Sequence, residues 1–370
     1  MTFIPDHTDL FVIGGGPAGL AAAIAARRRG FRVTVADCSA PPIDKACGEG
    51  IMPDGIAAAR AIGIDLERAG GMPFRGIRFR EGKVSVEAAF PHGHGLGLRR
   101  TTLHAMMAQQ AKAAGVRLMW DVRVTGLCGD GALLDGRKVR ARWIAGADGG
   151  RSLVRRWAGL EAFRRDRRRY GFRRHYRVAA PNDFMEIHWG RDCQLYITPV
   201  SPGEVCVALI SDDSHLRLEA ALPQFPEVAR WVADGPSSVE RGGVSASRRL
   251  KSVYRGNVAL VGDASGSVDA ITGEGLCTLF QQAEALAGAL AAGDLRRYQA
   301  AHTRIGRRPE MMARLMVSMG AFGGLRRRAM EAMRRQPRLF AGMLALHMGE
   351  RSPLQSAPDG LALGWRMLTL

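Results

Sequence analysis

The apolar positions of the first forty residues fall into two short runs separated by a helix of small residues. Leu10, Phe11, Val12 and Ile13 form the continuous run that a strand buried on both faces requires, and it breaks at once into Gly14, Gly15 and Gly16. Ala18 to Arg29 is alanine-rich and closes at Gly30; Arg32 to Ala36 gives a second strand that ends in Asp37. The pattern predicts strand, tight turn, helix, strand. Gly14, Gly16 and Gly19 stand in GxGxxG spacing: the first permits the turn, the second lets backbone approach a pyrophosphate, and the third lets helix lie close on strand. Pro17 suits a first helical turn, which has no use for that N–H, and Ala18 follows it into the helix. Asp37 lies about 20 residues past the glycines, where a carboxylate meets a ribose hydroxyl.

The next segments change period several times. Lys45, Cys47, Gly48, Glu49 and Gly50 form a compact polar cluster just downstream of Asp37, where a loop runs along an extended cofactor. Gly76 to Arg80 and Lys83 to Ala89 alternate as strands of a separate antiparallel element inserted into the first domain. His92 and His94 have no third ligand in view and read as loop. A helical pattern resumes near Leu98. Arginines at its start oppose the helix dipole unless an anion is near, which makes Arg100 a candidate for a phosphate or ribityl contact. Strands at Val116 to Trp120 and Val122 to Leu127 follow, with Val124 placed beside the cofactor, and Trp143 to Ala147 runs into Asp148 and Gly149.

From Ala162 to Arg177 the chain is at its most basic, yet Phe172, Arg174, Tyr176 and Val178 alternate with Arg173, His175 and Arg177. That is a strand pattern. With runs at Met185 to Trp189, Gln194 to Thr198 and Glu204 to Ile210 it predicts an antiparallel sheet of about four strands. His175 and Tyr196 are polar candidates on its face. Near residue 258 a buried run delivers Asp263, and Gly273, Glu274 and Gly275 then open a long alanine-rich helix whose N-terminus suits an anion. Beyond Arg304 the chain reads as helix. Methionines at 311, 312, 316, 319, 330, 333, 343 and 348 are expected to fill core, with a groove for a greasy substrate or membrane contact as the sharper reading.

Composition narrows the classes. The chain has 370 residues, 46% apolar and 24% charged, room for two cores. Its net charge is +18, with only five lysines among 53 basic residues. No nucleic-acid motif accompanies that charge and aromatics are few, so nucleic acid is not expected. Six scattered cysteines without a CxxC pair or metal spacing point to a reduced cytoplasm and to no metal. The first nine residues carry no basic n-region and no run is long enough to span a bilayer, so the expected location is cytoplasmic, with contact at a membrane periphery open.

Three separated signals agree: GGGPAG at 14–19 with Asp37, GADGGRSLVRR at 146–156, and LVGDASGSVDAITGEG at 260–275. Together they resemble the para-hydroxybenzoate-hydroxylase-type FAD superfamily, which includes group A monooxygenases, geranylgeranyl reductases and flavin-dependent halogenases. The resemblance covers roughly the first 300 residues. It implies an α/β fold, with a Rossmann-like FAD domain (1–70, 96–165 and 250–300), an inserted antiparallel-sheet substrate domain (71–95 and 166–249) and a helical C-terminal region (301–370). It implies that Gly14, Gly16, Gly19 and Asp37 hold the ADP half of FAD, with Arg100 near the pyrophosphate. Asp148 and Gly149 match the DG motif, Asp263 the acid at the ribityl chain, and Gly273 to Gly275 lie under the isoalloxazine. NAD(P)H visits transiently, since no second GxGxxG is present. Two departures stand out: Asp37 replaces the usual Glu, and no WxWxIP halogenase motif occurs.

The leading expectation is an FAD-dependent monooxygenase acting through a flavin C4a-hydroperoxide, with O₂ and NAD(P)H, on a phenolic or polyketide-like apolar substrate. His175 or Tyr196 would orient or deprotonate the phenol and Lys45 would stabilise reduced flavin. The alternative is a reductase of isoprenoid or lipid double bonds, because KACGEGI at 45–51 is similar to the KxCGxG segment of geranylgeranyl reductases; Cys47 is then the proton donor.

Overall fold

A computed structural model describes residues 6–233 and 235–369, except the side chains of residues 164–167 and 368. Strand β1 (His7–Ile13) is buried from Leu10 onward, as its apolar run requires, and is followed by α1 (Pro17–Arg27) and β2 (Val33–Ala36). Both neighbours of β1 are parallel to it: β2 on one side and Arg137–Gly146 on the other. Val258–Leu260 and Arg117–Met119 extend the parallel run outward on the two sides. The hairpin Val124–Cys128 and Gly131–Leu134 folds back antiparallel on Arg137–Gly146. All-parallel neighbours need cover on both faces, and α1, packed against the helices Arg100–Ala113 and Gly275–Ala291, supplies one of them.

A second sheet of eight strands runs, in spatial order, Gly266–Ser267, Arg241–Leu250, Phe163–Tyr176, Glu204–Ser211, Cys193–Ser201, Phe184–Trp189, Gly76–Glu81 and Val84–Ala89. The sequence anticipated about four of these. The pair at 76–89, a separate element by its alternation but grouped by the resemblance with 166–249, joins the main sheet through Gly76–Glu81, which pairs in parallel, not antiparallel, with Phe184–Trp189. The reason is geometric. A parallel partner can lie a hundred residues away, so no local turn signal marks it. The arginine-rich run is a strand from Phe163 to Tyr176, longer than its alternation showed, and Arg169 and Arg173 within it are buried. A small three-stranded sheet (Gly50–Ile51, Gly95–Gly97, Met72–Phe74) bridges the layers; a Cβ on Gly97 would lie 1.7 Å from the Pro199 carbonyl oxygen.

The C-terminal region is four helices, Leu295–Ala321, Gly323–Arg335, Pro337–Met348 and Pro353–Thr369. Two of them pack on the edge strand Val84–Ala89, and Phe340 meets the Phe79 ring at 4.8 Å. Met316, Met319, Met330, Met333 and Met348 are buried in the largest core cluster, so packing accounts for most of the methionine pattern. Among the described residues no helix is long and apolar enough to cross a membrane.

Candidate functional site

The parallel strands set the site by where they end. Gly14 follows β1, Asp37 follows β2, Asp148 lies just past Arg137–Gly146, and Asp263 lies just past Val258–Leu260. Carboxyl ends of parallel strands open a crevice where the order of connections reverses. Here that crevice is a cavity of about 800 Å³, bounded by these loops on one side and the eight-stranded sheet on the other.

The glycines divide their work as the spacing implies. Gly14 has φ +108°, and a Cβ there would lie 2.4 Å from the Ala147 carbonyl oxygen; one on Gly19 would lie 1.9 Å from that of Gly14. Gly16 has nothing within 4 Å of its missing Cβ and opens on the cavity. Pro17 and Ala18 then start α1 beside it, with the free N–H groups of a helix N-terminus. Asp37 accepts from the Gly15 N–H at 2.6 Å. His104, which sequence reasoning missed, holds the same loop. Its Nδ1 accepts from the Ile43 N–H at 3.3 Å, which leaves Nε2–H to donate to the Gly15 carbonyl at 2.8 Å. Burial lowers its pKa, consistent with a neutral ring. One signal pointed to it: His104 sits one helical turn after Arg100.

Lys45 Nζ reaches Asp263 at 2.6 Å across the cavity. Burial would raise the Asp263 carboxyl, but the Lys45 charge and hydrogen bond, with Arg100 beyond them, hold it below its ordinary value. Arg100 lines the cavity and its Nε is buried without a partner. Asp148 accepts from Leu153 N at 2.7 Å and Val154 N at 3.1 Å, capping the short helix Leu153–Trp157, while its Oδ1 has no partner. Gly48, Val124, Gly149, Gly273 and Gly275 also line the cavity, and Gly275 begins the long helix that ends at Ala291. Two helix N-termini, an open glycine and an unpartnered guanidinium nitrogen fit an extended dinucleotide with an anionic centre.

Glu274 lies between those last glycines, 6% exposed, with His347 Nε2 at 3.2 Å. Burial, then the nearby Asp54 charge, pushes its pKa up to about 8, while burial and the Arg308 charge lower His347 to about 4. At neutral pH the acid therefore holds its proton and the imidazole is neutral. Glu274 Oε2 and His347 Nδ1 are both buried and unpartnered.

The sheet wall corrects two expectations. His175 is 2% exposed and does not line the cavity. Arg99 and Arg173 stand 3.1 and 3.3 Å from its Nδ1. Arginine cannot accept, so Nδ1 does, and Nε2–H donates to Glu49 at 2.7 Å. His175 therefore orients Glu49 and cannot deprotonate a phenol. Tyr196 does reach the cavity, but its hydroxyl donates to the Ile271 carbonyl at 2.5 Å, and burial drives its pKa upward. It ties the sheet to the loop ahead of Gly273. Cys47 remains half-buried on the cavity wall. Sequence reasoning also missed the buried pair Arg169–Asp269, 2.7 Å apart, whose partners lie a hundred residues from each other. Glu49, His175 and Cys206 place ligand-type atoms within 4.8 Å of one another, but the Nε2 proton and the adjacent Arg173 already satisfy that carboxylate.

A parallel sheet with acids at its carboxyl ends, joined to a mixed sheet across an elongated cavity, defines a flavoprotein-type oxidoreductase. Residues 7–225 match the family described as "FAD binding domain", and the chain belongs to that family of FAD-dependent oxidoreductases. It is 27% identical over 307 residues, 74% of each chain, to menaquinone reductase of Mycobacterium tuberculosis. It is 34% identical over 175 residues, 42% of this chain and 41% of the relative, to 6-methylpretetramide 4-monooxygenase of Streptomyces rimosus. A flavoprotein/dehydrogenase from Cytophaga hutchinsonii shares the fold with a TM-score of 0.79 and 18% identity, covering 93% of both chains. The resemblance to para-hydroxybenzoate-hydroxylase-type flavoproteins is thus borne out.

Proposed function

We propose that this oxidoreductase reduces a carbon–carbon double bond of an apolar, isoprenoid-like substrate, with NAD(P)H as the transient electron source. The carrying observation is the Lys45–Gly50 segment. It lies along the cavity with Cys47 on its wall, between the cofactor loops and an apolar stretch of sheet that includes Phe172, Met185 and Leu209. The reductase match spans most of this chain and the monooxygenase match less than half, which supports placing the reductase reading first here. The broad apolar wall also suits a substrate that resides in a lipid phase.

FAD, once bound, supplies hydride-transfer chemistry. Gly14, Gly16, Pro17, Ala18 and Gly19 shape the pyrophosphate turn, Asp37 takes the ribose, and Arg100 balances phosphate charge. Lys45 and Asp263 form a polar gate toward the ribityl chain, with Gly48, Val124, Asp148 and Gly149 on its flanks. Gly273, Glu274 and Gly275 close the end next to the sheet, and Cys47 holds a proton at Sγ for the substrate carbon. The parallel sheet serves the cofactor, the eight-stranded sheet serves the substrate, and the C-terminal helices cover the edge.

A monooxygenase is the second reading, favoured by the 34% match. Anaerobic turnover with a polyprenyl substrate decides between them. Saturation of a double bond at the expense of NAD(P)H is expected, with the rate reduced in Cys47→Ala. Turnover that needs O₂ and adds one oxygen atom to the product sinks the reductase reading.

A further inference from the structure

The C-terminal helices carry an outward face that the cavity does not use. On Leu295–Ala321, Arg304, Arg307, Met311 and Leu315 recur at spacings of three and four, one stripe of a helix, and Phe322 follows just past its end. Its large apolar members are exposed: Met311 37%, Leu315 38% and Phe322 64%, with Leu325 at 39% just past the corner. Arg304, Arg307, Arg314, Arg327 and Arg328 are exposed around them, and none has an ion pair among the described residues. The final helix repeats the arrangement: Leu354, Leu361 and Trp365, at spacings of seven and four, are 87%, 77% and 69% exposed. It packs on Gly323–Arg335 and Pro337–Met348, so both stripes belong to one helical body.

Charge decides what covers this face. Residues 295–370 contain 14 arginines against four acidic residues, ten of the chain's eighteen net positive charges. A second copy of the chain would bring the same positive field and repel. An anionic bilayer surface supplies phosphate oxygens that guanidinium groups grip bidentately, and an apolar boundary for the leucines, phenylalanine and tryptophan. Each arginine near such a surface contributes about 1 kcal/mol, so the five suffice for reversible adsorption. We propose that the exposed face of the C-terminal helices docks this protein on anionic lipid bilayers. The inference rests on the reading of an apolar, lipid-like substrate, which a bilayer holds.

The test is co-sedimentation of the FAD-loaded protein with vesicles of phosphatidylcholine alone and of phosphatidylcholine mixed with phosphatidylglycerol. Binding is expected to be at least about tenfold tighter to the anionic vesicles and to weaken as salt is raised. A Leu315→Ser/Phe322→Ser variant that retains bound flavin and its helical circular dichroism should lose about tenfold in affinity. Arg314→Glu/Arg328→Glu should lose more. Equal binding to both vesicle types, no binding to either, or serine variants that bind like the parent overturn the proposal, as does a salt-stable dimer that Phe322→Ser dissolves. Turnover of a short, water-soluble substrate is followed in parallel. If vesicle binding holds while double-bond reduction fails, the functional reading falls and the docking surface stands; the reverse result removes the surface alone.

Discussion

Two buried glutamates border the cavity, each against a histidine, and their surroundings are opposite. Glu49 is ringed by donors: the Arg100 N–H at 2.9 Å, His175 Nε2 at 2.7 Å and the Arg173 guanidinium at 3.7 Å. Glu274 has only neutral His347 beside it, with Asp54 and Arg308 farther off, and keeps its proton. The same residue pair is thus ringed by donors on one wall and left without them, as a neutral acid, on the other. Burial alone does not set the state of a carboxyl; the count of donors around it does.

The largest break in that comparison comes from Glu49→Ala. It leaves the Arg100 N–H and His175 Nε2–H without their acceptor, while Arg173 keeps Asp44, so a loss of about 2–4 kcal/mol in denaturant unfolding is expected. Glu274→Ala should cost less, because it removes no charge partner. A loss at Glu274 equal to that at Glu49 would erase the distinction.

The next effect is a dependence on pH. Folded Glu274 binds one more proton than the unfolded chain between pH 4.5 and 8, so stability falls with rising pH in that window. His347 binds one fewer between pH 4 and 6.5, so its contribution rises there and offsets the first. Above 6.5 the glutamate acts alone, and the parent should lose about 2 kcal/mol by pH 8. Glu274→Gln should flatten that limb; an unchanged slope in paired melts would place the titration elsewhere. At constant pH 6 the same amide is expected to cost under about 1 kcal/mol.

A smaller effect separates the walls. Tyr196→Phe removes the hydroxyl that binds the Ile271 carbonyl, at a cost of about 1–2 kcal/mol. It should loosen the Gly273 corner, seen as weaker FAD retention on dialysis, and leave the Glu49 wall intact.

The cofactor side was readable from residue order because its chemistry is local. A glycine needed for a turn, an acid at a strand end and a proline at a helix start each leave their mark within a few positions. The substrate side was not readable, since its contacts join distant segments. His175 finds Glu49 across 126 residues, and Arg78 meets Glu186 across 108. Alternation marked His175 as lying on a sheet face without telling which layer covers that face. The eight-stranded sheet was undercounted for the same reason.

The strand order of the parallel sheet also has a consequence for biosynthesis. β1 is made first yet sits in the middle, between β2 and Arg137–Gly146, and Val258–Leu260 is added from far downstream. A chain emerging from the ribosome therefore displays its glycine loop more than a hundred residues before β1 has its second neighbour. Flavin capture belongs to the released or nearly complete polypeptide, and a nascent chain arrested before residue 258 should carry none.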